Sequence, residues 1–582
     1  MSLGLFVKFT GTVMDLLLPW ILAYMIDHVV PQKEVSLILM WGAVMVGASI
    51  FAVTFNVMAN RMASAVARDV TRTIRHDLFA KISYLSCAQI DRMTIPSLVA
   101  RLSSDTYNIH RMISGMQRVG IRAPILLLGG ILITLTLEPT LTLVMVGILP
   151  FTLLVVWLVS RKGVPLYTQL QGAVDTMVRV VRENASGIRI IKALSKADYE
   201  KERFAQANKN VTDRERRANI IMGITNPAMF LFLNLGLVAV IVMGAYRVNA
   251  GQTQPGAILA FLTYFTIILN ATLSITRMFV MYSRGSASGE RIAEVLALPE
   301  DLKLLDRNHV DNGYHVVFDQ VSFSYNASPS RANLLEDISF ALKRGETLGI
   351  LGETGCGKST ILQLLLRFYD AGGGTIRING DDIKGIPPGE LYTMFGIAMQ
   401  KDVLFADTIR ENVSFGRDLS EEEIRRVLVF AQAEHFVNGI TEGLDYNLSS
   451  RGTNISGGQR QRLLIGRALG GKPDILILDD SSSALDYRTD ADLRRALRKN
   501  FSDTTTIIVA QRISSVMQAD HIMVLERGRI LGYGTHRELL AGCELYREIS
   551  ESQMGQGSPA PGRQEKAGPV TGSAAAGALI HV

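Results

Sequence analysis

At 582 residues, with 48% apolar and 20% charged side chains, the chain is too long for one hydrophobic core and too apolar for an ordinary soluble enzyme. Its 60 Lys and Arg against 54 Asp and Glu leave a formal charge of +6, and the placement of those bases argues against a nucleic-acid partner. The three cysteines, Cys87, Cys356 and Cys543, stand far apart without metal-ligand spacing, so neither a disulfide framework nor a zinc site is expected.

A membrane-crossing helix needs about 20 mainly apolar residues, because hydrocarbon offers no partners to backbone N–H and C=O groups. Six runs meet that length, at about 3–27, 35–60, 118–137, 139–160, 218–246 and 248–276. The second, fifth and sixth carry no charge at all, and Glu138-Pro139 between the third and fourth reads as a tight outer turn. The first run carries Lys8 and Asp15. An ionisable group within a span is costly and is a functional candidate by default. Asp15 therefore either borders a substrate or proton pathway or pairs with a neighbouring helix. Asn226, Asn234 and Asn270 are expected to bond between helices.

The stretches 61–117 and 161–217 are rich in Lys and Arg, while the links near 28–34, 138–139 and 247–255 carry few charges. The excess of bases puts the two long stretches and everything after residue 277 in the cytoplasm, and it accounts for the positive net charge. Helix formers dominate both stretches. Paired helices of about 25 residues would project on the order of 35 Å from the bilayer. Tips able to dock on a soluble domain are expected at Ser104–Asn108 and Ala193–Tyr199.

From residue 313 onward, short β-type runs alternate with helical ones, the pattern of an α/β sheet. The strand Thr347–Leu351 leads into Gly352-Glu-Thr354-Gly355-Cys356-Gly357-Lys358-Ser359-Thr360, a complete P-loop between strand and helix. Its glycines let backbone amides wrap phosphates, Lys358 reaches the β- and γ-phosphates, and Ser359 ligates Mg²⁺. Cys356 reads as a small filler. The run Ile475–Leu478 followed by Asp479 fits a strand that presents a carboxylate to Mg²⁺-bound water.

Between these motifs lies Ile455-Ser456-Gly457-Gly458-Gln459-Arg-Gln-Arg. With the P-loop, it resembles the ABC transporters over almost the whole chain, with Ile455 where the family usually has Leu. The resemblance implies a half-transporter of the type IV exporter architecture, located in the cell membrane. Its fold would be an all-α six-helix transmembrane domain (1–300) with long cytoplasmic extensions, then an α/β P-loop nucleotide-binding domain (313–553); residues 554–582, rich in Gly, Ala, Ser and Pro without apolar periodicity, read by composition as a disordered tail. The resemblance further implies that Tyr325 stacks on adenine and that Gln400 bridges Mg²⁺ and the docked membrane loops. Ser456, Gly457, Gly458 and Gln459 would meet ATP held by a partner's P-loop, and Ser483 and Asp486 would lie in the D-loop linking the two sites.

Two positions depart from that pattern. After Asp479 the family usually has Glu, the general base; here it is Asp480, one methylene shorter. After the strand Thr505–Val509 it usually has His; here it is Gln511, which donates a hydrogen bond but carries no charge. Both departures fall in one site, which resembles the degenerate-site subunit of heterodimeric multidrug-type exporters. That resemblance implies a non-identical partner half-transporter carrying Glu and His, with an altered signature motif. It also implies an amphiphilic or lipophilic small-molecule cargo. A homodimeric exporter with two weak sites and a nucleotide-gated channel or regulator are the alternatives.

Overall fold

The computed structural model describes residues 2–325, 334–400, 402–481 and 484–554. The chain divides into two units, Met1–Leu85 with Met93–Leu298, and Ser86–Arg92 with Pro299–Val582. The tail expected from residue 554 lies, beyond Met554, outside the described residues, as does Ser483.

In the first unit, six helical stretches are long and apolar enough to cross a membrane: Ser2–Gln32, Val35–Ser83, Ile95–Leu137, Pro139–Ala193, Ala197–Asn249 and Pro255–Leu296. The sixth begins at Pro255 rather than residue 248. The uncharged run passes through a turn at Ala250–Gln254 in which Gly251 takes φ 66°, a break that charge and hydropathy alone do not register. Small residues bring the helices close. A Cβ on Gly236 would lie 2.3 Å from the Phe265 ring, so only glycine fits beneath that side chain. Polar clasps hold the same helices: Tyr264 donates to the Leu16 carbonyl (2.5 Å), the Gly256 N–H donates to Asp27 (2.6 Å), and Arg247 pairs with Glu138 at 3.0 Å.

The first expected tip is not where the helix is interrupted. Ser104–Asn108 runs from a π-helical turn, Arg101–Asp105, into the helix Thr106–Gly115. There buried Asp105 accepts from Ser288 (2.9 Å) and Arg291 (2.9 Å), and Asn108 donates to Ser288. The break comes instead around the short helix Cys87–Met93. Ser86 accepts from the Gln89 N–H at its start, and Thr94 at φ 64° with Pro96 just beyond closes its end. Ser86–Arg92 belongs to the second unit, where Tyr369 donates to Asp91 (2.5 Å) and Gln89 donates to the Pro299 carbonyl (2.7 Å). The second expected tip is a turn, with Ser195 at φ 52° between Pro139–Ala193 and Ala197–Gly223.

The second unit carries two sheets. Strands β1 (Val316–Phe323), β2 (Leu335–Leu342), β4 (Gly373–Ile378) and β5 (Asp381–Asp382) form an antiparallel sheet in the order β2-β1-β4-β5. Strands β3 (Thr347–Gly352), β6 (Phe395–Ala398), β7 (Ile475–Asp479), β8 (Thr505–Val509), β9 (His521–Glu526) and β10 (Arg529–Gly534) form the order β10-β9-β3-β8-β7-β6. From β9 to β6 all pairings are parallel. β7 and β8 are buried along their whole length, as the runs Ile-Leu-Ile-Leu and Thr-Thr-Ile-Ile-Val require of strands covered on both faces. One core packs β1, β2 and the helix Lys358–Leu365 on one face; a second packs the helix Gly457–Leu469 on the other.

His315, just before β1, is buried, and its Nδ1 lies 2.6 Å from the Thr505 hydroxyl while Nε2 has no partner. Burial, helped by nearby Arg344 against Asp474, pushes its pKa below the ordinary value. The unfolded chain therefore takes up this proton near pH 6.5 while the folded chain still excludes it. Stability is whole above that pH and falls as acid is added. Hydrogen exchange of β1 and β8 in the full chain, corrected for intrinsic rates, should quicken between about pH 7.5 and 5.5, and His315→Gln should flatten that dependence.

Candidate functional site

The parallel strands β3, β8, β7 and β6 lie side by side, and their carboxyl ends deliver four loops to one crevice, the place where open α/β sheets bind ligands. β3 supplies the P-loop, β8 leads to Gln511, β7 ends in Asp479 followed by Asp480, and β6 leads to Gln400. A cavity of about 230 Å³ is lined by Thr354, Gly355, Gly357, Lys358, Ser359, Thr360, Gln400, Asp479, Asp480 and Gln511, together with Leu334 and Val509. Gly352, Cys356 and Tyr325 are not among its lining residues.

The P-loop owes its shape to its glycines. Gly357 caps the helix Lys358–Leu365 at φ 106°, and a Cβ there would lie 2.5 Å from Leu335. Lys358 folds back so that its ammonium donates to the carbonyls of Gly352 and Glu353, both at 2.7 Å. Ser359 donates to Asp479 at 3.0 Å. Burial raises the Asp479 carboxyl above the usual range; Ser359 opposes this, neighbouring Asp480 adds to it and Lys358 opposes it. Cys356 is buried beneath the loop, and burial likewise pushes its thiol up, in keeping with a filler.

Asp480 stands just past the strand at φ 48°, the left-handed region, which Asp tolerates better than most residues. Its N–H donates to the Val509 carbonyl (2.8 Å), tying it to β8. Its Oδ2 accepts from the Gln400 amide and from the Gln511 amide, each at 3.1 Å. The two departures from the family pattern are thus hydrogen-bonded to each other. Gln553, in the helix Glu544–Met554, steadies the loop beyond: it donates to the Gln511 carbonyl and accepts from the Ile513 N–H, both at 2.8 Å. No motif in the sequence marks Gln553.

The remaining expected residues lie elsewhere. Tyr325 is half-exposed, its hydroxyl bonded to Thr360 (3.2 Å) and Gln363 and its ring edge-on to Tyr369. Ser456 caps the helix Gly457–Leu469 in a reciprocal box with Gln459, and Gly457 has open space where a Cβ would be. Asp486 caps the helix Tyr487–Asn500, and the Thr489 N–H foremost among its donors lowers its carboxyl below the usual range.

In the membrane unit, Asp15 pairs with Arg122 at 3.0 Å and accepts from Asn56 at 3.2 Å. Both partners lie on other spans, so Asp15 ties the first span to the second and third. Asn234 donates to its own helix at the Phe230 carbonyl rather than across to another, and Asn270 lines a cavity.

Residues 1–272 match the family model of the ABC transporter transmembrane region, and residues 335–483 match that of the ABC transporter. The chain is 33% identical over 556 residues to the uncharacterized ABC transporter ATP-binding protein YfiB of Bacillus subtilis, covering 95% of this chain and 96% of that one. It is 34% identical over 552 residues to the uncharacterized ABC transporter ATP-binding protein Mb1304c of Mycobacterium bovis, covering 94% of each. Among solved structures, that of a bacterial Atm1-family ABC exporter with ATP bound superposes with a TM-score of 0.80 at 25% identity, over 96% of this chain and 98% of that one.

Lys358→Ala removes the one ammonium of the loop and should weaken binding of a fluorescent ATP analogue about 10- to 100-fold, the worth of a charge-assisted contact. Cys356→Ala should leave that titration within about twofold, as expected of a filler that does not line the cavity.

Proposed function

Since the chain belongs to the ABC transporter family, we propose that it is one subunit of a heterodimeric ATP-driven exporter, working by alternating access. On this reading its own ATP site holds nucleotide but hydrolyses it poorly, and its signature motif completes a competent site on a non-identical partner. The chain sits in the cell membrane with its nucleotide-binding domain in the cytoplasm. The likeness to an exporter with ATP bound supports the transport direction and the nucleotide.

A cavity of about 230 Å³ is small for a whole nucleotide and open on one side, which suits a site closed by a second chain. Gly352, Thr354, Gly355 and Gly357 shape the loop around phosphates, Lys358 counters their charge, Thr360 caps the inner end, and Tyr325 offers its ring to adenine. The hydroxyl of Ser359, the carboxylate of Asp479 and the amide oxygen of Gln400 are hard oxygen donors on one cavity wall, a set that fits Mg²⁺. That ion would supply charge neutralisation between phosphates. Ser456, Gly457, Gly458 and Gln459 present a capped helix N-terminus to the partner's nucleotide, and the segment containing Asp486, with Ser483 outside the described residues, links the sites.

One observation carries the claim of weak hydrolysis: the Asp480 carboxylate stands where a general base is required, yet its Oδ2 is engaged by both the Gln400 and Gln511 amides. A general base must lie within hydrogen-bond reach of the water it activates. Asp is a methylene shorter than Glu, and a misplacement of about 1 Å can cost roughly 10²-fold. Gln511 adds a donor but relays no proton. Closure of two such domains on two ATP molecules would be retained, and with it the switch of the membrane cavity between its two faces.

Asp480→Glu with Gln511→His should raise turnover at this site by about 10-fold or more, read as ADP formed on this chain after vanadate trapping in the complex with its partner. Unchanged trapping by the double variant would defeat the degenerate-site reading.

A further inference from the structure

Three cations gather at one end of the membrane unit. Lys8 on the first span, only 3% exposed, has Arg122, Asp15 and Arg118 as its charged neighbours. Its ammonium donates to two neutral amide oxygens, Asn56 (2.8 Å) and Asn60 (3.2 Å). Asp15 is already paired with Arg122. Arg118 donates to the Asn60 carbonyl and the Ser64 hydroxyl and has no carboxylate partner among the described residues. It stands in a π-helical turn, Met116–Gly120, an irregularity often found where a helix serves a function.

Lys8, Arg118 and Arg122 line a cavity of about 460 Å³ whose other walls include Leu126, Ile267 and Asn270. A second cavity, of about 430 Å³, shares Val119 and Ser274 with the first and is lined by Arg111, Arg277 and Arg284. Among the described residues, no carboxylate lines either one. Anchoring to lipid phosphate at the cytoplasmic surface would explain bases on the outer perimeter. It does not explain a buried Lys8, nor walls drawn from the first, second, third and sixth spans around one space. Six cations line these two adjacent cavities and, among the described residues, only Arg122 is paired with a carboxylate, so the local potential is positive and a bound anion is favoured. The apolar side chains beside them accept a hydrocarbon body.

We infer that these joined cavities form an anion-binding site, taking a phosphate or carboxylate group, as a free anion or as the head of an amphiphile. The inference rests on the exporter reading and gives its cargo a charge. Arg118 and Arg277 are both exposed; among the described residues Arg277 bonds only Ser274 of its own helix, so its replacement is the control for the two hydrogen bonds that Arg118 makes to the second span.

The test uses the full chain with its partner in phosphatidylcholine nanodiscs, without nucleotide. Dodecyl phosphate and dodecyltrimethylammonium are titrated below their micellar concentrations and followed by thermophoresis. The phosphate should bind at least about tenfold more tightly than the ammonium. Arg118→Gln and Arg277→Gln should each weaken it several-fold, and Arg118→Glu with Arg277→Glu should invert the preference. Competition by inorganic phosphate at equal concentration would support the site and identify its ligand as a free anion. Lack of competition, with dodecyl phosphate still bound, would support it and identify an amphiphile. Equal or tighter binding of the ammonium, or variants that change nothing, would overturn the inference. Because no nucleotide is present, such a failure leaves the account of the ATP site untouched, and a failure of that account leaves this one standing.

Discussion

The nucleotide site depends on adjacent parallel strands ending together. β3, β8 and β7 are paired on both sides, β6 closes the edge against β7, and apolar cores cover both faces. Their ends therefore cannot shift separately, and the P-loop, Asp479, Asp480, Gln400 and Gln511 are held within hydrogen-bond distance. The hydrogen bond from Ser359 to Asp479 joins the β3 and β7 loops, and those from Gln400 and Gln511 to Asp480 join the β6, β7 and β8 loops. On the proposed reading, so rigid a frame gives the length of one side chain a chemical consequence. A carboxylate one methylene short has no flexible backbone with which to recover its reach.

On the proposed reading, that frame lets substitution at two positions separate binding from hydrolysis. Phosphate binding, on this reading, draws on Lys358 and the backbone of a glycine-rich loop. Hydrolysis, on the same reading, draws on the residue after β7 and the residue after Ala510, the two positions at which the sequence departs from the pattern of the family it resembles. The helix Gly457–Leu469, with its reciprocal Ser456–Gln459 cap, lies on the other face of the sheet and is independent of both.

Much of this was legible in the sequence. The six apolar runs, the P-loop between strand and helix, and the buried strand before Asp479 each follow from a local pattern with a physical cause, and the family likeness extends over 95% of the chain. What was not legible depends on partners distant in sequence. The helix Cys87–Met93 joins the soluble unit through Tyr369 and Pro299, and its only local sign was the Thr94-Ile-Pro96 break; composition alone pointed further on, to Ser104–Asn108. Gln553 meets the Gln511 loop some forty residues away without any motif. Lys8 reads along the chain as a lone cation inside the first span and Arg118 as a base at the edge of a cytoplasmic stretch, and only the packing of four spans brings them, with Arg122, to one cavity.

The most direct measure of the central claim is the identity of the nucleotide held by each subunit after one turnover of the complex, determined by photo-crosslinking a radiolabelled azido-ATP and separating the two chains. The account predicts intact triphosphate on this chain and diphosphate on its partner. Diphosphate on both chains in equal amount, or a complex built from two copies of this chain that hydrolyses at both sites alike, would contradict it.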